Sequence, residues 1–281
     1  MDISFSSMFF HDAPLEDIFR SPEQSGADCL EFWLETPDFW LKGLCLDELK
    51  RQVKASPTRS PLSVHAPVLD LNPCSINPDV REVSIRWIER SIELAEQIGA
   101  SVCTIHPGRR TAKRPPSITD YQRLGSMLDR IERIADEVRV KIAIENMEPA
   151  VNALLTTPDE IIKVLDERSW LYFTFDYAHA VGSGPQVVSS FLDGGAGKIV
   201  NIHISGAGNG QMHGPVSSDE NATPFLRELR DNRYDGQITL EINDLVLPSA
   251  LSYQEKISLL KQEIAVIRKA FKGEVELTGV I

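Results

Sequence analysis

Eight short apolar runs, rich in β-branched and aromatic residues, recur along the chain, and each is followed by a stretch able to form a helix. They are DISFS (2–6), DCLEFWL (28–34), LSVHA (62–66), SVCTIH (101–106), VKIAIEN (140–146), LYFTFD (171–176), KIVNIHI (198–204) and QITLEI (237–242). Runs of this length with little polar alternation suit strands covered on both faces, as parallel strands joined through helices are. Eight equivalent βα units favour closure over an open doubly wound sheet, so residues 1–281 are expected to form a single-domain (β/α)8 TIM barrel. No Pro/Gly/Ser-rich linker or low-complexity tract divides them.

Helical spacing is clearest in three stretches. Over 79–98, Val83, Trp87, Ile88, Ser91, Leu94, Ala95 and Ile98 share a face, and Gly99 ends the helix. Over 119–137, Leu124, Met127, Leu128, Ile131 and Ile134 follow Thr119 as N-cap. Over 252–271, Ile257, Leu260, Ile264, Ile267 and Phe271 close the ring. Shorter helices are expected at 14–24, 46–55, 157–167, 185–192 and 222–231. Long loops at 107–117 and 205–218 follow strands, on the face where such barrels keep their active sites.

A net charge of -12 repels phosphate backbones and anionic membranes, so any nucleic-acid contact has to be local. Cys29, Cys45, Cys74 and Cys103 form no C-x-x-C pair and read as reduced thiols. No apolar run approaches the roughly 18 residues of a membrane span, and the first residues lack a basic leader, so a cytoplasmic protein with no membrane partner is expected. A homo-oligomer is open, and the apolar tail EVELTGVI (274–281) can pack under the barrel or against a partner.

The polar residues at the strand ends carry the chemistry. His65, His106, Glu145, Asp176, His203 and Glu241 each fall at or beside the C-terminal end of a different run, about one βα unit apart. Closing the ring brings all six to one mouth. Any one alone reads as a hydrogen-bonded core residue, but six in phase call for a ligand, since the layers inside a barrel are mostly branched apolar residues. Mixed imidazole and carboxylate donors suit Zn²⁺, Mn²⁺ or Fe²⁺, with Zn²⁺ or Mn²⁺ expected here. His179 lies i, i+3 from Asp176, and His213 either swings over the site or sits exposed in its loop. His65, His106, His179 and His213 are thus candidates for further metal or substrate contacts, while His11 is surface or substrate-lining. Arg109 and Arg110, in a cluster with Lys113 and Arg114, either bind phosphate or form a solvated charge run. In FWLETPDFW (32–40), Trp33 or Trp40 either covers a sugar ring or serves as a core or dimer contact.

The segments SVHAPVLDLNP (63–73), VCTIHPG (102–108), IAIENME (142–148), FTFDYAHA (173–180), NIHISG (201–206) and ITLEIN (238–243) resemble the xylose-isomerase-like barrel superfamily, which includes endonuclease IV and the sugar isomerases and epimerases. In the epimerase branch the resemblance implies one metal held by Glu145, Asp176, His203 and Glu241. Glu145 and Glu241 would be an acid/base pair flanking a small carbohydrate or sugar phosphate, with His179 touching the substrate. In the endonuclease IV branch it implies up to three zinc ions and a DNA partner. His65, His106 and Glu145 would hold the first and Glu145, Asp176, His203 and Glu241 the second. The third would fall to His179, His213 and an aspartate whose position here is Gln211, with Asp219 as a substitute. The expectation is a metal-dependent sugar isomerase or epimerase, the alternative an apurinic-site phosphodiesterase.

Overall fold

A computed structural model describes residues 1–58, 62–207 and 211–272, so the tail at 274–281 lies outside the described residues. The strands β1 (Asp2–Phe5), β2 (Glu31–Trp33), β3 (Ser63–His65), β4 (Val102–Ile105), β5 (Lys141–Glu145), β6 (Tyr172–Asp176), β7 (Ile199–Ile204) and β8 (Gln237–Leu240) each fall inside one of the eight sequence runs. All pair in parallel, in the order β1-β8-β7-β6-β5-β4-β3-β2. β1 and β2 meet through a parallel bridge between Ser6 and Glu31 and a bond from the Asp28 amide to the Ile3 carbonyl at 2.8 Å. The result is a nearly closed (β/α)8 barrel.

Among the described residues the helices are α1 (Leu15–Ser25), α2 (Pro37–Leu41), α3 (Leu46–Ala55), α4 (Pro78–Gln97), α5 (Ile118–Ala135), α6 (Pro158–Glu167), α7 (Tyr177–Val181), α8 (Pro185–Gly194), α9 (Ala222–Asp231) and α10 (Tyr253–Lys272). α2 and α7, of five residues each, are too short for periodicity to reveal. The start of α5 corrects one expectation: Ser117, not Thr119, is the N-cap, because Asp120 reaches back to the Ser117 amide at 2.8 Å and completes a capping box. On α4 the inward face is Ser84, Ile85, Ile88, Ser91, Ile92 and Ala95, whereas Val83 is exposed and Trp87 only half-buried. The indole of Trp87 finds its partner in Trp40 of α2, with ring centroids 4.7 Å apart, and this leaves Ile85 and Ile92 to cover the sheet.

Strand residues alternate with period two. Ile3, Phe5, Phe32, Val64, Ile105, Ile142, Ile144, Phe173, Phe175, Ile202, Ile204, Ile238 and Leu240 join the apolar layer under the helices. The opposite set, Ser4, Glu31, Ser63, Thr104, Thr174, Asn201, Gln237 and Thr239, is buried in the lumen, where branched apolar layers were expected. Hydrogen bonds across the lumen satisfy these groups: Thr104 to Thr174 at 2.9 Å, Asn201 Nδ2 to Glu31 Oε2 at 2.9 Å, and Thr239 Oγ1 to Asn201 Oδ1 at 2.8 Å. Gln237 Nε2 lies 2.7–3.0 Å from the hydroxyls of Ser63, Ser4 and Thr239. Gln237→Leu should therefore strand buried hydroxyls and cost about 1–3 kcal/mol in urea denaturation; an unchanged midpoint and slope would contradict this role.

Candidate metal centre

The six rim residues stand where strand phase puts them. His65, Glu145 and Asp176 end β3, β5 and β6, His106 and Glu241 come one residue after β4 and β8, and His203 is the penultimate residue of β7. They converge as two groups that share Glu145: His65, His106 and Glu145, and Glu145, Asp176, His203 and Glu241. Within each group the donor atoms all lie within 4.8 Å of one another.

In the second group, His203 Nδ1 is 3.2 Å from Glu145 Oε1 and 2.7 Å from Glu241 Oε2. Asp176 N-caps α7, its Oδ1 accepting from the His179 amide at 2.8 Å, which leaves Oδ2 buried without a hydrogen bond, its nearest charge partner the His179 ring at 3.7 Å. Glu241 Oε2 is also without an aligned hydrogen bond, close as it is to the His203 ring. Buried carboxylate oxygens left unpaired are costly unless a cation or a proton meets them, so the donor set fits a divalent ion. In the first group, His65 Nδ1 donates to the Ala66 carbonyl at 2.8 Å, which turns Nε2 toward Glu145 Oε2 at 3.3 Å; His106 Nε2 is 3.0 Å from the same oxygen.

The electrostatics follow from this packing. Burial opposes ionisation of Glu145, but the charges of His203 and His106 outweigh it and hold the carboxyl well below the usual range. Burial likewise opposes ionisation of Glu241, and His203 again prevails and lowers it. For Asp176 burial wins, pushing its pKa up to about 6. Burial disfavours the imidazolium of His203, yet Glu31, Glu145 and Glu241 together raise it well above the ordinary value. His65 is raised to about 9 against its burial, chiefly by its bond to Glu145, whereas burial dominates at His106 and lowers it.

The remaining candidates separate. His179 is buried, with Nδ1 donating to the Asn146 carbonyl at 2.8 Å, and His213 closes edge-on over it at 5.3 Å between centroids, held at φ 60° in its loop. The amide of Gln211 donates to the Val246 carbonyl at 2.9 Å. Asp219 accepts from Ala207 N, Asn221 N and the Tyr177 hydroxyl, so it ties down its own loop. Among the described residues, no carboxylate joins His179 and His213 in a ligand group of three. Arg110 is turned into its loop, donating to the Pro115 carbonyl at 2.6 Å and facing Asp120 at 3.9 Å. Arg109 is exposed beside a cavity of about 230 Å³ that reaches His106, Met147, Glu148 and Asn152. Trp40 packs on Trp87, whereas Trp33 is buried at the end of β2 with His11 at 5.7 Å between centroids.

Two buried residues escaped the sequence reading. Glu31, on β2, contacts the far edge of His203 at 3.0 Å; an acid at the centre of an apolar run was the available signal. Asn146 brackets Asp176, accepting from its amide at 2.8 Å and donating to its carbonyl at 2.9 Å.

The geometry and the comparisons agree on the class of barrel. Residues 19–268 match the xylose isomerase-like TIM barrel family, and the chain belongs to that family. It is 34% identical over 269 residues to an uncharacterized protein of Methanocaldococcus jannaschii, covering 94% of this chain and 97% of that one. A probable endonuclease 4 of Aquifex aeolicus is 30% identical over 135 residues, covering 46% of this chain and 45% of its own length. Among solved structures, a D-tagatose 3-epimerase-like protein superimposes with a TM-score of 0.73 at 23% identity, covering 96% of this chain and 99% of its own. An L-ribulose 3-epimerase does so with 0.78 at 16% identity, covering 96% and 94%. At these identities the structural likeness speaks to the fold. No helix among the described residues is long and apolar enough to cross a membrane.

Proposed function

We propose that the chain is a divalent-metal-dependent isomerase or epimerase of a small carbohydrate or sugar phosphate, working in the cytoplasm. The observation that carries this reading is the meeting of Glu145 and Glu241 at His203 Nδ1, with Asp176 beside them and all four in one coordination-sized group. Glu145, Asp176, His203 and Glu241 would hold one Zn²⁺ or Mn²⁺, which when bound supplies Lewis-acid stabilisation of negative charge developing on substrate oxygens. The chain's own groups move the proton. Shifting a hydrogen next to a carbonyl needs a base and an acid flanking the reacting carbon, and Glu145 and Glu241, rising from β5 and β8, supply two carboxylates for that pair. His179 and His213 stand beside the acids and would position substrate hydroxyls, and Trp33, packed near His11, would line the mouth. Arg109, at the rim of the adjoining cavity, would meet a substrate phosphate; Arg110 has its guanidinium engaged within the loop.

The test is hydrogen exchange from solvent into a panel of ketoses and their phosphates by the Mn²⁺- or Zn²⁺-loaded protein. Exchange abolished by chelator supports the proposal. Chelator-sensitive incision of abasic duplex DNA without such exchange would instead favour the phosphodiesterase reading. That second reading draws on the endonuclease 4 relative and on the His65, His106 and Glu145 group as a further metal position. The hydrogen bonds that occupy Gln211 and Asp219, and the net charge of -12, weigh against it.

Proton competition gives this centre a pH signature. A ligand must shed its proton before it binds metal. With His203 raised well above its ordinary value, one proton is displaced around neutrality, so affinity should rise about tenfold per pH unit between roughly pH 6 and 8. Below about pH 6 the carboxyl of Asp176 is protonated as well, and the dependence should steepen toward two protons. Calorimetric titration across this range checks the slope, and a pH-independent affinity would count against these four ligands.

A further inference from the structure

We propose that Glu31 is the positioning residue of this centre: it holds His203 with the proton on Nε2, so that the Nδ1 lone pair is presented to the cation. The inference rests on the metal-centre reading above and assigns a role to a residue outside both ligand groups.

Glu31 lies in the middle of the lumen with none of its surface exposed. A buried carboxylate is costly unless each oxygen is met by a donor, and a chain selecting only for packing has no use for one there. Its Oε2 accepts from the Ser63 hydroxyl at 3.0 Å and from Asn201 Nδ2 at 2.9 Å. Those two partners are fixed in turn, Ser63 by Gln237 and Asn201 by Thr239, so the lumen network grips the carboxylate from the side away from the mouth. His203 Nε2 faces both oxygens: it lies 3.3 Å from Oε2 in hydrogen-bonding alignment and 3.0 Å from Oε1, which accepts no aligned hydrogen bond and has this imidazole as its charge partner.

The consequence for the imidazole is a matter of counting protons. A neutral ring carries one N–H, and the nitrogen facing an anionic acceptor keeps it. On the opposite edge Nδ1 faces Glu145 and Glu241, and in the absence of Glu31 the same proton is drawn to those carboxylates instead. The ring would then show the cation an N–H bond and no lone pair. Glu31 tips this competition the other way and also raises the basicity of the ligating nitrogen, as a carboxylate behind a metal-bound imidazole does. The hydroxyl and amide pairs lower in the lumen are what keep Glu31 aimed, which explains polar residues where a barrel ordinarily packs branched apolar ones.

Glu31→Gln keeps the volume and the contacts to Ser63 and Asn201 but removes the charge. In chelator-stripped, reloaded protein it should weaken Zn²⁺ affinity by about 10–100-fold with unchanged stoichiometry and with the metal-free melting temperature preserved, while Glu31→Asp recovers part of the affinity. Ser63→Ala, which removes one of the two contacts that aim Glu31 but leaves its charge facing His203, should lose clearly less Zn²⁺ affinity than Glu31→Gln. In the unsubstituted zinc protein, ¹⁵N shifts of the imidazoles should show His203 protonated at Nε2 and coordinated through Nδ1, a readout independent of whether any variant folds. Parent-like affinity in Glu31→Gln, an equal loss in Ser63→Ala, or coordination of His203 through Nε2 would each overturn the inference while leaving the metal centre in place. Failure of the unsubstituted protein to bind any divalent ion would remove the centre and this role with it.

Discussion

Glu145→Gln should abolish hydrogen exchange between substrate and solvent, a loss of at least about a thousandfold, and should empty both ligand groups at once, because both are built on this one carboxylate. Oε1 serves His203 and Oε2 serves His65 and His106, so an amide cannot satisfy both sides with acceptor oxygens. Glu241→Gln should also abolish exchange but leave His65, His106 and Glu145 able to bind an ion, since Glu241 belongs only to the second group. The pair of variants thus separates a shared ligand from a single-site one. Isotope incorporation into substrate, measured beside metal content, reads both effects. Full exchange retained in either variant would contradict the acid/base assignment.

The second large effect is thermal. Stripping divalent ions should leave Asp176 Oδ2 and Glu241 Oε2 buried without an aligned hydrogen bond, among acids and imidazoles that a cation no longer reconciles. Saturating Zn²⁺ or Mn²⁺ at about a thousand times its dissociation constant contributes about 4 kcal/mol to the native state, or roughly 8–16 °C in melting temperature for a chain of this size. Scanning calorimetry with and without chelator measures it. The shift should shrink toward pH 5, where the proton on Asp176 competes with the ion. A melting temperature indifferent to divalent ions would speak against a cation at these acids.

Much of the rim was legible because two regularities coincide. Strand runs can be recognised by composition, and in a parallel barrel all their C-terminal ends face one way, so His65, His106, Glu145, Asp176, His203 and Glu241 could be placed together without knowing a single distance. The lumen was less legible. Serine and threonine sit in strands without disturbing the apolar signature, so Ser4, Ser63, Thr104, Thr174 and Thr239 looked like ordinary strand positions until hydrogen bonds tied them across the barrel. Glu31 was hidden the same way, as one acid in an otherwise apolar run whose meaning depends on His203, 172 residues away. On α4 a helical wheel placed Trp87 inward by its hydrophobicity, whereas the choice between Trp87 and Ile85 was settled by Trp40 from a helix too short to foresee. At the start of α5, both Ser117 and Thr119 have a suitable residue three positions on, and only the reach of Asp120 to the Ser117 amide decides between them.

Anomalous diffraction from crystals equilibrated with Mn²⁺ or Zn²⁺ bears most directly on the central claim, that acids and an imidazole from four strands share one cation. The expected result is a single strong peak within bonding distance of Glu145, Asp176, His203 and Glu241. Three peaks of comparable strength, with one between His179 and His213, would favour phosphodiester chemistry over carbohydrate isomerisation. No peak among the four ligands would contradict the metal centre itself.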